Sequence, residues 1–346
     1  MKGSRLVSTI TLAALLLGAA PPARAAINSN AYGLRTHEVF FNGVSHVTGV
    51  KRAAYTGLAW RASVRNTGGA IAKDYAVPYY PLAEFEMRMN GAQALARAIT
   101  DLSAGRQVRL STQVRTPSLD PAAPEWTNLG DSEMAYFEFP KLDAQSKSAG
   151  YFKTAVVPTA FVPMTDRPAG ASAPVSPTAA GSGTSFLENG FVVTIPGMDC
   201  SHIVSVDGIR IEGPAAASST VAGAELTDSR PAVTNTNGNI TIRATHASSR
   251  GLRDWMLANQ AARPTKREIT IQLFSVGGGQ PLLTLHGVGL GLMSLVPDAE
   301  DTEGLPGSTA TLFVERWEVT APGGPGLTKG KVDLAAPGLG IPVGRK

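Results

Sequence analysis

The chain has 346 residues, 43% hydrophobic and only 17% charged, a balance that excludes a disordered chain and supplies material for about two domain cores. Gly and Pro, 37 and 24 in number, are more than helical proteins tolerate, so many short strands joined by turns are expected. The formal charge of +4 falls to +1 if Lys2, Arg5 and Arg24 are removed with an N-terminal segment, leaving 28 basic against 27 acidic residues; with no Lys/Arg stripe interleaved with aromatics, no nucleic acid is expected as a partner.

That segment, residues 1–25, has the composition of a signal peptide. Lys2 and Arg5 make its positive start, Leu6 to Ala20 its apolar core, and Ala23-Arg24-Ala25 fits the small-x-small rule, so cleavage is expected after Ala25. An uncleaved anchor is the alternative, but the apolar run is shorter than the roughly 20 residues a span needs and ends in Pro21-Pro22. No later stretch is apolar enough to cross a bilayer, so no membrane span is expected after cleavage. The expected location is secreted or periplasmic, within the cell envelope. The one cysteine, Cys200, makes no internal disulfide.

A first β-rich domain is expected over 26–162. Glu38 to Val44 and Val47 to Val64 read as strands, broken by a turn at Asn66-Thr67-Gly68-Gly69. Phe85, Met87 and Met89 alternate with Glu84, Glu86 and Arg88, the pattern of a two-faced strand. From Gly91 to Leu102 the apolar residues Ala94, Leu95, Ala98, Ile99 and Leu102 fall at helical spacing, and Arg106 to Val114 alternates again. Residues 163–185 are dense in Pro, Ala, Ser and Gly and read as a linker.

The second domain is expected over 186–320, with a long arm from Gly213 to Asn239 and a flexible tail over 321–346. Ile240 to Ala244 alternates as a half-buried strand. Ser248 and Ser249 offer N-caps to a helix of about three turns, in which Leu252, Trp255 and Met256 share one face. Pro264 stops it, Arg263, Lys266 and Arg267 lie beyond its end, and Ile269 to Leu273 resumes the strand alternation. Trp255 is expected beneath the helix, against Ile240, Ile242 and Ile271. The glycines at 277 to 279 turn the chain back into Pro281 to His286.

In this order, Gly238-Asn-Ile-Thr-Ile-Arg, Leu252-Arg-Asp-Trp-Met and Arg267-Glu-Ile-Thr-Ile-Gln-Leu resemble the tail-tube family of contractile phages and their injection-system relatives, type VI secretion tubes among them. Phe191-Val-Val-Thr-Ile-Pro-Gly followed by His202-Ile-Val-Ser-Val-Asp-Gly-Ile resembles the family's opening hairpin, and the match covers roughly residues 186 to 320. The resemblance implies a small β-barrel with one helix that assembles into stacked rings. A generic β-sandwich with one helix is the competing reading. The first half repeats the order strand, helix, strand: Met87-Arg88 against Ile242-Arg243, Val108 against Ile269, Gly43 against Gly197 and Met134 against Met293 stand at offsets between 154 and 161. The fold class expected is therefore mainly β, two tandem barrel-like domains each with one short helix.

Candidate chemistry is sparse. Gly130-Asp131-Ser132 and Asp199-Cys200-Ser201-His202 have the spacing of a secreted esterase family's nucleophile block and Asp-x-x-His pair, but that family places them at opposite ends of an α/β domain. His286-Gly287-Val288-Gly289 reads as a strand end rather than an oxyanion loop, and Gly277-Gly278-Gly279 lacks the Lys and Ser/Thr of a phosphate loop. The five histidines, at 37, 46, 202, 246 and 286, show no metal-ligand spacing. Cys200 beside His202 reads as a buried structural thiol. No catalytic, cofactor-binding or metal-binding residue is assigned, no cofactor is expected, and the chain is read as a non-enzyme. Its expected role is an exported building block that self-associates through sheet edges, three chains filling a pseudo-six-fold ring. The alternatives are an extracellular or cell-envelope binding module and, more distantly, a secreted esterase.

Overall fold

In the computed structural model, residues 37–42, 45–57, 59–67, 70–116, 125–164, 186–213, 237–277, 279–298 and 307–321 are described. The signal segment, most of the 163–185 and 213–239 stretches and nearly all of the C-terminal tail therefore lie outside the described residues. The first half contains β1 (His37–Phe41), β2 (Ser45–Ala54), β3 (Ala59–Thr67), β4 (Ala70–Tyr79), β5 (Ala83–Arg88), α1 (Met89–Ser103), β6 (Arg109–Thr116), β7 (Glu125–Glu138), β8 (Leu142–Asp143), β9 (Tyr151–Val157) and β10 (Val162–Met164). The second half contains β11 (Phe186–Thr194), β12 (Ile203–Asp207), β13 (Arg210–Glu212), β14 (Ile240–Thr245), α2 (His246–Ala261), β15 (Arg267–Ser275), β16 (Pro281–Pro297), β17 (Gly307–Phe313) and β18 (Arg316–Thr320).

The alternation read in the sequence sets the inner face of each sheet. β5 buries Ala83, Phe85 and Met87, and β15 buries Ile269, Ile271 and Leu273. In both halves the strand runs into its helix without a connecting residue: β5 ends at Arg88 and α1 starts at Met89, β14 ends at Thr245 and α2 starts at His246. The structural offset between these units is thus 157, so Met87 stands opposite Ala244 rather than Ile242. His246 takes the kink in a left-handed conformation, φ 48°. α1 closes on Gly105 at φ 78°, whose N–H donates to the Leu102 carbonyl at 2.9 Å.

Neither Ser248 nor Ser249 caps a helix. The N-cap is Thr245, the last residue of β14, which makes no side-chain cap, and α2 spans 16 residues, more than the three turns expected. Both serines are instead inside the helix and buried. The Ser248 hydroxyl accepts the His202 N–H at 3.0 Å, and the Ser249 hydroxyl is hydrogen-bonded to that of Ser308. Tertiary partners took the hydroxyls that the local pattern assigned to the helix end.

In the first half, β1, β2, β5, β9, β7 and β6 pair antiparallel in that order and β6 returns to β1, so the sheet closes into a barrel. Closure leaves no free edge among these six. β10 pairs with the opening residues of β7, and β3 and β4 form a separate hairpin. The second half repeats the path as β11-β15-β16-β17-β14-β12, with β18 on the first part of β16 as β10 is on β7.

The last pair of the second barrel differs. By analogy with β1 and β2, β11 should pair with β12, the opening hairpin implied by the resemblance, but among the described residues it does not. A segment of the first half enters the gap. β8 pairs with β12, Asp143 opposite Ser205, and Ala149 bridges Leu187 on β11, with Gly150 N–H donating to the Phe186 carbonyl at 3.0 Å. In return β13 of the second half pairs with the end of β7 in the first, Ile211 opposite Phe137. Each barrel thus holds a strand of the other, and one apolar cluster runs through both, from Val39 to Val319.

Candidate assembly interface

The two helices use their faces differently. Each buries one stripe on its own barrel: Ala92, Leu95 and Ile99 of α1, Ser249, Leu252 and Trp255 of α2. Burying a leucine or a larger apolar side chain contributes roughly 1.5 to 3 kcal/mol. α1 has a second stripe that lies across β18 of the other barrel. Here Thr100 Oγ1 accepts the Val319 N–H at 2.8 Å, Ser103 Oγ accepts the Trp317 N–H at 2.6 Å, and Gln93 Nε2 donates to the Leu282 carbonyl at 2.7 Å. Since β18 is an edge strand, two of its outward N–H groups would otherwise need water; the helix hydroxyls cap them. Val319 is 5% exposed beneath this contact.

At the 157 offset, Gln93, Ala96, Thr100 and Ser103 correspond to Arg250, Arg253, Leu257 and Gln260 of α2, and all four are exposed. α2 packs on β14, β16 and β17 of its own barrel. Leu257 is 61% exposed. In the first barrel β10 carries Val162, 51% exposed, next to the half-buried Phe161, whose ring lies 6.1 Å from that of Tyr55. Sequence reasoning missed this surface because Leu257 in isolation is one more leucine of an amphipathic helix. The signal that could have found it is the pair Thr100 and Leu257 at matching places in the two repeats.

Where the barrels meet, polar groups are matched. Arg210 of β13 donates to Glu138 at 2.7 Å and to Glu212 at 2.7 Å, and its guanidinium lies 4.1 Å from the Tyr136 ring. Burial, with a hydrogen bond to Glu84 and the charge of that carboxylate, pushes the Tyr136 phenol well above its usual range. A cleft of about 660 Å³ opens beside this seam, lined by Lys51, Glu86, Lys141, Tyr151, Lys153 and Asp207 among others. Much of its charge is already paired, Lys51 with Glu86 at 2.7 Å and Lys153 with Glu138 at 3.2 Å.

The esterase-like residues are not brought together. Ser132 lies on β7 of the first barrel, fully buried, its hydroxyl donating to the Leu129 carbonyl at 3.1 Å. Gly130, at φ 71°, belongs to a bulge in that strand; a side chain there would run into Thr159 and Ala160. Asp199 to His202 form the turn between β11 and β12 in the second barrel, where hydrogen bonds from the Ser201 hydroxyl and from the Ser201 N–H, the latter at 2.9 Å to Asp199 Oδ1, lower the Asp199 pKa. The Cys200 thiol is half-buried; burial raises its pKa, it accepts the Ile195 N–H at 3.3 Å, and the His202 ring packs on His246.

His286 is not at a strand end. It sits inside the 17-residue β16, paired with Glu318 of β18 and with Thr270 of β15. Gly287 is needed there because a Cβ would come within 3.0 Å of the Trp317 ring and 2.6 Å of Ile269. Gly277 makes the turn into β16 at φ 74°. Among the described residues no three His, Cys, Asp or Glu side chains gather at a site able to hold a metal ion, and no helix is long and apolar enough to cross a membrane.

No family model and no curated protein matches the sequence. Among solved structures, the chain is similar to the tube-terminating cap of the anti-feeding prophage, with 18% identity over 38% of this chain and 88% of that one and a TM-score of 0.30. It is similar to a chain of the PVC sheath-tube complex of an extracellular contractile injection system in the extended state, at 23% identity, 38% and 88% coverage and a TM-score of 0.29. The PVC sheath/tube terminator in the extended state gives 22%, 38% and 93%, with a TM-score of 0.31. The similarity to tube-like proteins is weak and assigns no family.

Proposed function

We propose that the chain is an exported, non-enzymatic building block that self-associates, its two barrels, over 26–162 and 186–320, being diverged copies of one unit. The observation that carries this reading is the contact between α1 and the second barrel. A helix of one barrel laid on the edge strand of the next, with strands exchanged across the seam, is an assembly joint contained in a single chain. A chain built of two units joined in this way leaves over the equivalent helix face and edge strand, those of α2 and β10. Multi-angle light scattering of the mature protein is expected to give a trimer, six barrels in all, or stacks of trimers. A monomer at high micromolar concentration overturns the reading.

Export rests on the segment from Lys2 to Ala25. Protein recovered outside the cytoplasm of a Gram-negative host is expected to begin at Ala26; a cytoplasmic pool that keeps Met1 removes this part of the proposal. Absence of catalysis is tested separately. Ser132→Ala, Cys200→Ala and His202→Ala are expected to leave any trace hydrolysis of an ester substrate unchanged, since the Ser132 hydroxyl is buried and committed to the backbone. Turnover lost with Ser132→Ala makes the chain an esterase.

An extracellular or cell-envelope binding module is the second reading, and the cleft at the seam is what favours it. Such a module works as a monomer, so the scattering measurement separates the two.

A further inference from the structure

We propose that α2 of one chain seats on β10 of a second copy, repeating between chains the joint that α1 and β18 make within one. The proposal rests on the self-association reading above and names the surface that performs it.

The first argument is continuity with a joint already in place. β10 stands to β7 as β18 stands to β16, each an antiparallel edge strand on the opening part of the barrel's longest strand. α1 and α2 each follow directly from the corresponding strand, β5 or β14, at one offset. The stripe that α1 gives to β18 is therefore the stripe that α2 gives to solvent. β10 exposes the apolar side chain of Val162.

The second argument is that both free surfaces changed together. Thr100 on α1 meets an edge strand with N–H groups to satisfy, at Trp317 and Val319. β10 has Pro163 at its centre, which has no N–H and so presents one donor fewer at such an edge. On α2 the place of Thr100 is taken by Leu257, an apolar side chain with no acceptor. A hydroxyl facing a donor in one joint is replaced by leucine facing valine and proline in the other. The partner is accordingly a second copy of this chain, and the contact is head to tail: α2 of one copy, β10 of the next. A contact of this heterologous kind closes a ring when its rotation closes and otherwise extends as a filament.

The test uses the mature full-length chain and two variants, Leu257→Asp and Val162→Asp. Both positions are more than half exposed, so both variants keep the circular dichroism spectrum and melting temperature of the parent. Each alone is expected to be monomeric, with self-association weakened by more than about tenfold because a carboxylate is forced against an apolar surface. Mixed in equal amounts, they are expected to form a two-chain complex and nothing larger: the Leu257→Asp chain retains an intact β10 and the Val162→Asp chain an intact α2. If the parent assembles and Leu257→Asp assembles equally well, the docking proposal is overturned and the self-association reading stands. Disappearance of assembly in each variant with no recovery on mixing overturns the head-to-tail pairing in favour of a symmetric contact. A parent that stays monomeric overturns the self-association reading itself, and this proposal with it.

Discussion

Replacing Trp255 with alanine is expected to lower the stability by about 3 to 5 kcal/mol, the range for emptying a large buried aromatic site. The side chain is 1% exposed and holds α2 onto its barrel from three directions. Its ring is packed in the apolar cluster that includes Ile240, Ile242 and Ile271. The indole Nε1 donates to the Thr265 carbonyl at 3.4 Å, across the turn that follows the helix. The Arg267 guanidinium lies 4.8 Å from the ring centre at the start of β15. In α1 the place of Trp255 is taken by Ala98, and there the helix is held from its other side by β18 instead. Loss of the indole thus removes the largest side chain that fixes α2, leaving Leu252 and the Ser248 and Ser249 hydrogen bonds, whereas α1 is held by two barrels. An unchanged melting temperature in Trp255→Ala would show that α2 contributes nothing to the fold of the second barrel.

A single unfolding transition is expected for the whole chain. If the barrels were independent, calorimetry would resolve two steps, each with about half the enthalpy. Because β8 and the residues up to Gly150 stand between β11 and β12, unfolding the first barrel opens the second. Because β13 pairs with β7, unfolding the second strips a strand from the first. At about 0.7 kcal/mol per residue, roughly 200 ordered residues absorb on the order of 140 kcal/mol near 60 °C in one step, with the van't Hoff and calorimetric enthalpies equal. The same argument applies to truncation. Residues 186–321 expressed alone lack the segment between β11 and β12, leave Phe186 without Gly150 and Pro140 beside it, and are expected to aggregate or to stay unfolded. Two resolved transitions, or a stable soluble second half, would mean that the exchanged strands contribute little.

The elements that carry these predictions differed in how far they could be read in advance. The strands around Met87 and Ile271 and the helices between them were legible, because alternation and the 3.6-residue period are written in neighbouring positions and depend on nothing distant. The burial of Trp255 followed from the same periodicity. The helix start was misread at Ser248 and Ser249, since a serine hydroxyl serves equally well as a local cap or as a tertiary partner, and His202 and Ser308 are distant in sequence. His286 and its glycines read as the end of a strand because Gly287 is small for a reason visible only when Trp317 crosses it.

What the sequence by itself determined is therefore the strand-helix-strand unit in each half, its inward faces and the mainly β class with two helix-bearing barrels. Which strand lies beside which was decided by the tertiary structure. β8 has two residues and β13 three, too short to show a period, and their partners lie in the other half of the chain. Likewise, the change from Gln93, Ala96, Thr100 and Ser103 on α1 to Arg250, Arg253, Leu257 and Gln260 on α2 does not by itself say which face meets a strand and which meets water. The difference comes from which barrel stands next to each helix: among the described residues α1 packs on the second barrel as well as its own, and α2 packs on its own.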